Sequence, residues 1–279
     1  FNLALLASPV GLITAALAAL VAVGRQAFNF FKKYEVVMSK VKAVTQTTNE
    51  EFQKLRDSTI EYGESTKFTA TEVGQLQLEL AKLGKTTEEI VEMTSAILNL
   101  AVATDSELGD TAKIVAKTLN QFDLSAEDTT RVTDVMAQSF VSSALDINKF
   151  EEAMKKAGPI ARVAGKSFEE TTAIVAALTD AGVDASTIGT SLRDVFSDLA
   201  TSGDTWDGAL DKIKNSTNRL GTANKIFGKT SLTVTTLLSE NIDKVDDLTE
   251  SLNNSEGAAQ RMADIVGNNL QGDLDRLGS

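Results

Sequence analysis

The fold is decided by residues 66–90, which read TKFTATEVGQLQLELAKLGKTTEEI. The segments TATE at 69–72 and TTEE at 86–89 each place a threonine three residues before a glutamate, the spacing of a capping box at the start of a helix. Gly84 lies between them, where glycine ends helices because it adopts the left-handed conformation without strain. The stretch therefore predicts a helical hairpin, two helices joined by a tight turn.

Apolar residues recur every three or four positions along both predicted helices. Val73, Leu76 and Leu80 keep this spacing in the first helix, and Ile90 and Ile97 lie on one face of the second. Each helix therefore has an apolar face that needs a partner, and the alternation typical of β-strands is almost absent. The predicted fold class is all-α, a hydrophobic N-terminal helix followed by a series of amphipathic helical hairpins. Periodicity leaves open whether these faces pair within one chain or in a multi-copy helical bundle or coiled coil.

Further helix starts and turns continue this pattern along the chain. TNEE at 48–51 and SFEE at 167–170 are two more capping boxes. A shift of 98 residues superposes the box at 69–72 on the box at 167–170, and Gly84 on Gly182. Either an internal duplication or the general likeness of capped hairpins accounts for this match. The glycines predicted to form helix-hairpin turns are Gly63, Gly84, Gly165, Gly182 and Gly228.

An apolar run precedes the hairpins, because residues 3–23 contain no charged side chain. As a helix this run would reach about 30 Å, the thickness of a bilayer's hydrocarbon core. Three interpretations stay open: a conditional membrane segment, a core helix covered by a partner, and a signal peptide, although no basic residue precedes the run. The residues predicted to contact membrane are Leu3, Leu5, Leu6, Val10, Leu12, Ile13, Leu17, Leu20, Val21 and Val23.

Three regions follow from composition. Residues 1–34 form the hydrophobic, conditional membrane segment with its basic flank, and residues 35–200 form the helical-hairpin core. Residues 201–279 turn polar and are predicted to be a helical extension that continues beyond the given terminus, because helical spacing persists to the last residues.

Charge is spread unevenly over these regions. The chain has 27 basic and 39 acidic residues, a net charge of −12. Residues 1–44 hold five basic residues and one acidic residue, so the remainder holds 22 basic and 38 acidic ones. An acidic chain of this kind is repelled by nucleic acid, so no specific nucleic-acid binding is expected.

The chemistry available to the chain is narrow, because it contains no cysteine and no histidine. Thiolate and imidazole catalysis, disulfides and the usual zinc sites are excluded. Adjacent carboxylates fall at predicted helix starts, where the helix dipole favours acids, so capping explains them better than catalysis. We predict no enzyme activity, no cofactor and no metal. These carboxylate pairs are Glu50-Glu51, Glu88-Glu89, Glu151-Glu152 and Glu169-Glu170.

The order of several motifs resembles the core region of phage tail tape measure proteins. SPVGLI at 8–13 lies in the apolar run, and TKFTATEV at 66–73 and LGKTTEEI at 83–90 form the first hairpin. AGKSFEE at 164–170 and IFG at 226–228 follow in the same order, so the resemblance covers roughly residues 30–240. Each motif alone is only a capped helix, whereas their order is far more specific.

This resemblance implies a structural protein of a phage or phage-like tail, of which this chain is a fragment because family members are commonly longer. Such proteins occupy the tail tube lumen and tail tip, set tube length during assembly and are ejected to help the genome through the host envelope. The implied partners are other copies of the chain, the tail tube protein, tail tip or baseplate hub proteins, tail assembly chaperones and, on ejection, the host membrane.

Two other functional classes remain as alternatives. A pore-forming or membrane-disrupting helical toxin would combine an apolar hairpin with amphipathic helices, but only one strongly apolar run is present. A helical enzyme would have to bring carboxylates together in a cleft.

Overall fold

The computed structural model describes residues 9–227 and 232–267, with the backbone alone for residues 9–20, 22 and 232. This part contains fourteen α-helices, one 3-10 turn at Ala126–Asp128 and no strand, which confirms the all-α prediction. The helices up to the middle of the chain are α1 Pro9–Thr45, α2 Asn49–Ser65, α3 Ala70–Lys82, α4 Thr87–Thr104, α5 Leu108–Phe122, α6 Thr129–Ser142 and α7 Ile147–Val163. The remaining helices are α8 Phe168–Asp180, α9 Ala185–Ser202, α10 Trp206–Lys214, α11 Arg219–Ile226, α12 Leu232–Glu240, α13 Ile242–Asn253 and α14 Ala258–Gly267.

Alternate helices form two layers around one apolar core. In one layer α1 contacts α3, α3 contacts α5, α5 contacts α7 and α7 contacts α9. In the other, α2 contacts α4, α4 contacts α6 and α6 contacts α8. Because each helix has a single apolar face, this alternation lets each hairpin bury its face against its neighbours. The core is contiguous from α1 to α14.

The four predicted capping boxes are present and begin α2, α3, α4 and α8. In each box the glutamate carboxylate accepts a hydrogen bond from the backbone N–H of the cap residue, at 2.8 Å from Glu51 to Thr48 and 2.7 Å from Glu72 to Thr69. The cap hydroxyl in turn accepts from the glutamate backbone N–H. These bonds satisfy donors that a helix start would otherwise leave unpaired.

Three of the predicted glycine turns lie just after helices, with φ of 82° at Gly84, 77° at Gly165 and 82° at Gly182. Gly63 was wrongly predicted as a turn, because it lies inside α2, which runs on to Ser65. What Gly63 provides is space, since a Cβ there would lie 2.7 Å from the backbone nitrogen of Ala70. Gly228 lies outside the described residues.

Helix limits recur at a spacing of 98 residues. Moved by 98 positions, α2, α3 and α4 have the same first and last residues as α7, α8 and α9. The same shift places α6 on residues 31–44 of α1. We call residues 31–104 the first repeat and residues 129–202 the second. Chance likeness between capped hairpins would not give three consecutive helices and their loops one common spacing.

Packing repeats together with the helix limits. The contacts α1–α3, α2–α3, α2–α4 and α3–α4 have counterparts in α6–α8, α7–α8, α7–α9 and α8–α9. Equivalent positions also bury equivalent side chains, so the two repeats share a core as well as a topology. Buried pairs include Val37 and Val135, Met38 and Met136, Leu76 and Ile174, Leu80 and Leu178, Ile90 and Ile188, and Ile97 and Val195.

The last two helices fold back onto the repeats. α13 packs on α6 and α8, and α14 packs on α4 and α6. Asp134 of α6, only 3% exposed, accepts backbone hydrogen bonds from Gly257 at 2.8 Å and Ala259 at 2.9 Å, and so caps the start of α14. The polar region after residue 201 thus contacts the core extensively, and its separation as a domain stays a prediction.

Two helices approach each other closely where α7 meets α9. A Cβ at Gly189 would lie 2.6 Å from the backbone oxygen of Ala153 and 3.1 Å from its Cα. Backbone atoms cannot rotate away as a side chain can, so α9 would have to move.

We therefore expect Gly189→Ala to destabilise the chain by about 1–2 kcal/mol, because overpacking outweighs the gain in helix propensity. Urea unfolding followed by circular dichroism measures this. Gly109→Ala is the matched control, since its Cβ would meet only side-chain atoms at 3.7 Å and beyond, and it should leave stability unchanged or raised by up to ~1 kcal/mol. Equal stability of the two variants would contradict this packing.

Candidate functional surface

The second half of α1 is fixed to the core through a narrow apolar stripe. Val37, Met38 and Val41 are buried against α3. Gly74 of α3 allows this contact, because a Cβ there would lie 3.1 Å from Met38 Sδ and 3.2 Å from Val37 Cγ1. The buried Tyr34 hydroxyl hydrogen-bonds with the Thr59 hydroxyl at 2.7 Å, which aligns α1 with α2.

An ion pair borders the same contact. Two nitrogens of the Arg56 guanidinium donate to the Glu35 carboxylate at 2.5 and 3.2 Å. The guanidinium also lies over the Tyr34 ring, 5.3 Å from its centroid. The hydrogen bond from Arg56 holds the pKa of the Glu35 carboxyl below its ordinary value of 4.5 and raises the pKa of Arg56.

The described side chains of α1 before Tyr34, those of residues 21 and 23–33, are exposed. They include Phe28 at 69% and Phe31 at 63%. Arg25, Lys32 and Lys33 lie among these apolar residues. Helical geometry makes this exposed stretch about 20 Å long. A contiguous apolar and basic surface of this kind marks an interaction site. The helix also crosses the predicted boundary at residue 34 without a break.

The predicted membrane segment finds no support here. Among the residues whose side chains the structure describes, no helix joins the length and hydropathy needed to cross a membrane. Alanine dominates the run over leucine and isoleucine, and Pro9 and Gly11 lower its apolarity further. Of the predicted contacts, Val21 and Val23 are exposed on α1. Leu3, Leu5 and Leu6 lie outside the described residues, and the side chains of Val10, Leu12, Ile13, Leu17 and Leu20 are not described.

The carboxylate pairs have structural roles. Glu51, Glu89 and Glu170 cap helices through their own boxes. Glu151 does not begin a helix, contrary to the prediction, because Asp146 is the cap of α7; Glu151 pairs instead with Lys117 of α5 at 3.0 Å. No cluster of acidic residues among the described side chains could hold a metal ion.

Sequence reasoning missed the residues that join distant helices. Tyr34, Arg56 and Asp134 look like ordinary helix residues, and their partners lie 21 to 125 positions away. Glycine inside a predicted helix, as at Gly74, was the one available signal of close approach.

Layered helical hairpins place the described part of the chain in the class of all-α bundle proteins. Comparison with known families narrows this class. The family described as phage-related minor tail protein matches residues 56–268, and the chain belongs to that family.

Two curated relatives agree with this membership. The tape measure protein of Pneumococcus phage Dp-1 is 28% identical over an aligned length of 296 residues, gaps included, and the alignment covers 96% of this chain and 26% of that protein. The probable tape measure protein of Escherichia phage P2 is 30% identical over an aligned length of 256 residues, and the alignment covers 80% of this chain and 31% of that protein. The chain thus spans about a quarter to a third of the length of these relatives. No solved structure matches it.

Acid should weaken the attachment of α1. A lowered carboxyl pKa contributes stability that is present above the ordinary pKa and lost as pH falls through the lowered one. We expect amide hydrogen exchange of residues 34–45, corrected for the intrinsic rate, to be faster in Glu35→Gln than in the native chain at pH 7. The difference should correspond to at most ~1 kcal/mol, because the pair is partly exposed.

This difference should vanish below the lowered pKa of Glu35, where the native carboxyl is protonated as well. Other carboxylates titrate equally in both proteins and cancel in the comparison. Equal exchange at pH 7, or a difference that persists in acid, would contradict the role given to this ion pair.

Proposed function

We propose that the chain is a segment of a tail tape measure protein, which occupies the lumen of the tail tube and sets tube length during assembly. Family membership over residues 56–268 carries this proposal, and the names of the two relatives support it. We assign the segment no catalytic step, because neither histidine nor cysteine is available and the carboxylates described above cap helices or form ion pairs.

The proposal extends to location and partners. The protein would lie in the virion from the tube lumen to the tail tip, in contact with other copies, tube protein, tip or baseplate hub proteins and, before assembly, tail chaperones. The exposed apolar surface of α1 supports such contacts, because it needs a cover. On ejection the protein would leave ahead of the genome toward the host envelope, and its net charge of −12 would keep it from binding the DNA that follows.

Within the full protein, we propose that this segment is a folded terminal part and not the ruler itself. Stacked hairpins shorten a chain, whereas a ruler gains length by extension. Even a single continuous helix of 279 residues would reach only about 420 Å. The portion that measures the tube would then lie in the remaining length of the protein, since this chain covers 26–31% of its relatives.

Tail length measured by electron microscopy tests this division. In-frame deletions of 50 and 100 residues outside the segment should shorten tails by about 75 and 150 Å if the deleted part is helical. The point variant Gly109→Ala, inside the segment and spatially tolerated, should leave tail length unchanged.

Two results would contradict the proposal. Tails of native length in both deletion strains would show that the protein does not set the length of the tail tube. Assembly of normal tails in cells that lack this gene product would show that the protein has no function in the tail.

A further inference from the structure

The two repeats are covered unequally. In the second repeat, α13 and α14 pack over α6, and α13 also packs over α8. In the first repeat, the equivalent helices are residues 31–44 of α1 and α3. α5 packs on α3, but no described helix packs over residues 31–44 of α1 as α13 and α14 pack over α6. The same scaffold therefore has a filled face in one repeat and an open face in the other.

Three contacts define the filled face. Asp134 caps α14, Gln138 Nε2 donates to Ser251 Oγ of α13 at 3.2 Å, and Lys244 of α13 pairs with Asp180 of α8 at 2.6 Å. These contacts show which positions of α6 and α8 face the added helices.

The equivalent positions in the first repeat, 98 residues earlier, are Val36, Lys40 and Lys82. Val36 is 48% exposed, Lys40 is exposed, and the Lys82 side chain is half exposed. Val36 and Lys40 are thus available to a partner, whereas the Lys82 ammonium pairs with Glu79 at 2.8 Å.

The open face has its own chemistry. Phe28, Lys32, Val36, Lys40 and Val44 are spaced four apart, so they follow a ridge that turns by about 40° around α1 at each step and alternates apolar and basic residues. All five are exposed, and we call them the basic ridge. Asp134 and Asp180 are the acidic contact residues of the second repeat, and their counterparts in the first repeat are Val36 and Lys82. The first repeat therefore favours partner groups of the opposite charge to those that the second repeat binds.

The helix that fills the second repeat indicates the form of the missing partner. α13 buries Ile242, Val245, Leu248 and Leu252 on one side. It carries Asp243, Asp246, Asp247 and Glu250 against Lys244 as its one basic residue. An acidic amphipathic helix of this kind would set apolar residues against Val36 and Val44 and carboxylates against Lys32 and Lys40.

We propose that the basic ridge is a docking site for an acidic amphipathic helix supplied by another polypeptide. The helix arrangement shared with the second repeat determines the shape of the site, and its reversed charge determines its preference for an acidic partner. An anionic lipid surface would also meet basic and apolar residues, but the equivalent face of the second repeat holds helices.

The test uses the full 279-residue chain and a fluorescent peptide with the sequence of residues 241–267, carrying a photo-crosslinker. Fluorescence anisotropy should detect binding, and Val36→Asp/Lys40→Glu should weaken it at least tenfold. Val163→Asp/Lys155→Glu is the matched control, since both residues are exposed on α7 and the charge change is identical. A peptide with its four aspartates and two glutamates replaced by lysine should not bind.

The position of the cross-link distinguishes binding of the peptide to the basic ridge from binding in place of α13 and α14. Labelling within residues 28–44 supports the proposal, and labelling confined to residues 129–142 overturns it, because the peptide would then have displaced α13 and α14. Concentration-dependent association of the chain that the ridge variant abolishes would support it and identify a second copy as the source.

Three further results would overturn the proposal. They are absence of peptide binding, equal weakening by the ridge and control variants, and ridge-dependent binding to phosphatidylserine vesicles without peptide binding. Unfolding curves of both variants show that loss of binding is not loss of fold. If the ridge variant is unstable, Val36→Ser, which keeps the charge, should still weaken binding while leaving the unfolding midpoint unchanged.

Discussion

The structure depends on the requirement that every helix bury one apolar face. Helices of 8 to 18 residues are marginal alone in water, so their stability has to come from packing. Capping boxes satisfy free backbone donors at the starts of α2, α3, α4 and α8, and from α1 to α9 each helix contacts the helix two places along the chain. Two layers of helices follow from this rule, and an added helix pair follows where one layer would otherwise stay open.

The repeats show how one scaffold acquires different surfaces. Shared core positions keep α2 to α4 and α7 to α9 in the same arrangement, while the outward positions differ. Asp134 in the second repeat holds the start of α14, and its counterpart Val36 in the first repeat is exposed. A substitution at an outward position therefore changes what the repeat binds without changing how it folds. For a phage-related minor tail protein, such surfaces are the natural place for contacts with other tail components.

Much of the fold could be predicted from the sequence, because its determinants are local. The capping boxes at Thr48, Thr69, Thr86 and Ser167 depend on residues three positions apart, and all four are present. The hairpin turn predicted at Gly63 was wrong because glycine serves two purposes. In turns, glycine adopts a positive φ, and inside helices it leaves room for a neighbouring backbone. The sequence alone does not show which of these roles a glycine has. Long-range partners such as Asp134 with Gly257 were out of reach, because no local pattern marks a cap donated by another helix. The 98-residue match of side chains was ambiguous until the helix limits themselves agreed.

An experimental structure of the chain, with the Cα atoms of residues 31–104 superposed on those of residues 129–202, tests the central claim that two equivalent units build this fold. We predict that all four helices of the first unit fall on their counterparts, in the same order and with the same contacts, while α13 packs on the second unit alone and α14 packs between α4 of the first and α6 of the second. A superposition that aligns α3 with α8 and leaves α2 and α4 pointing away from α7 and α9 would contradict it.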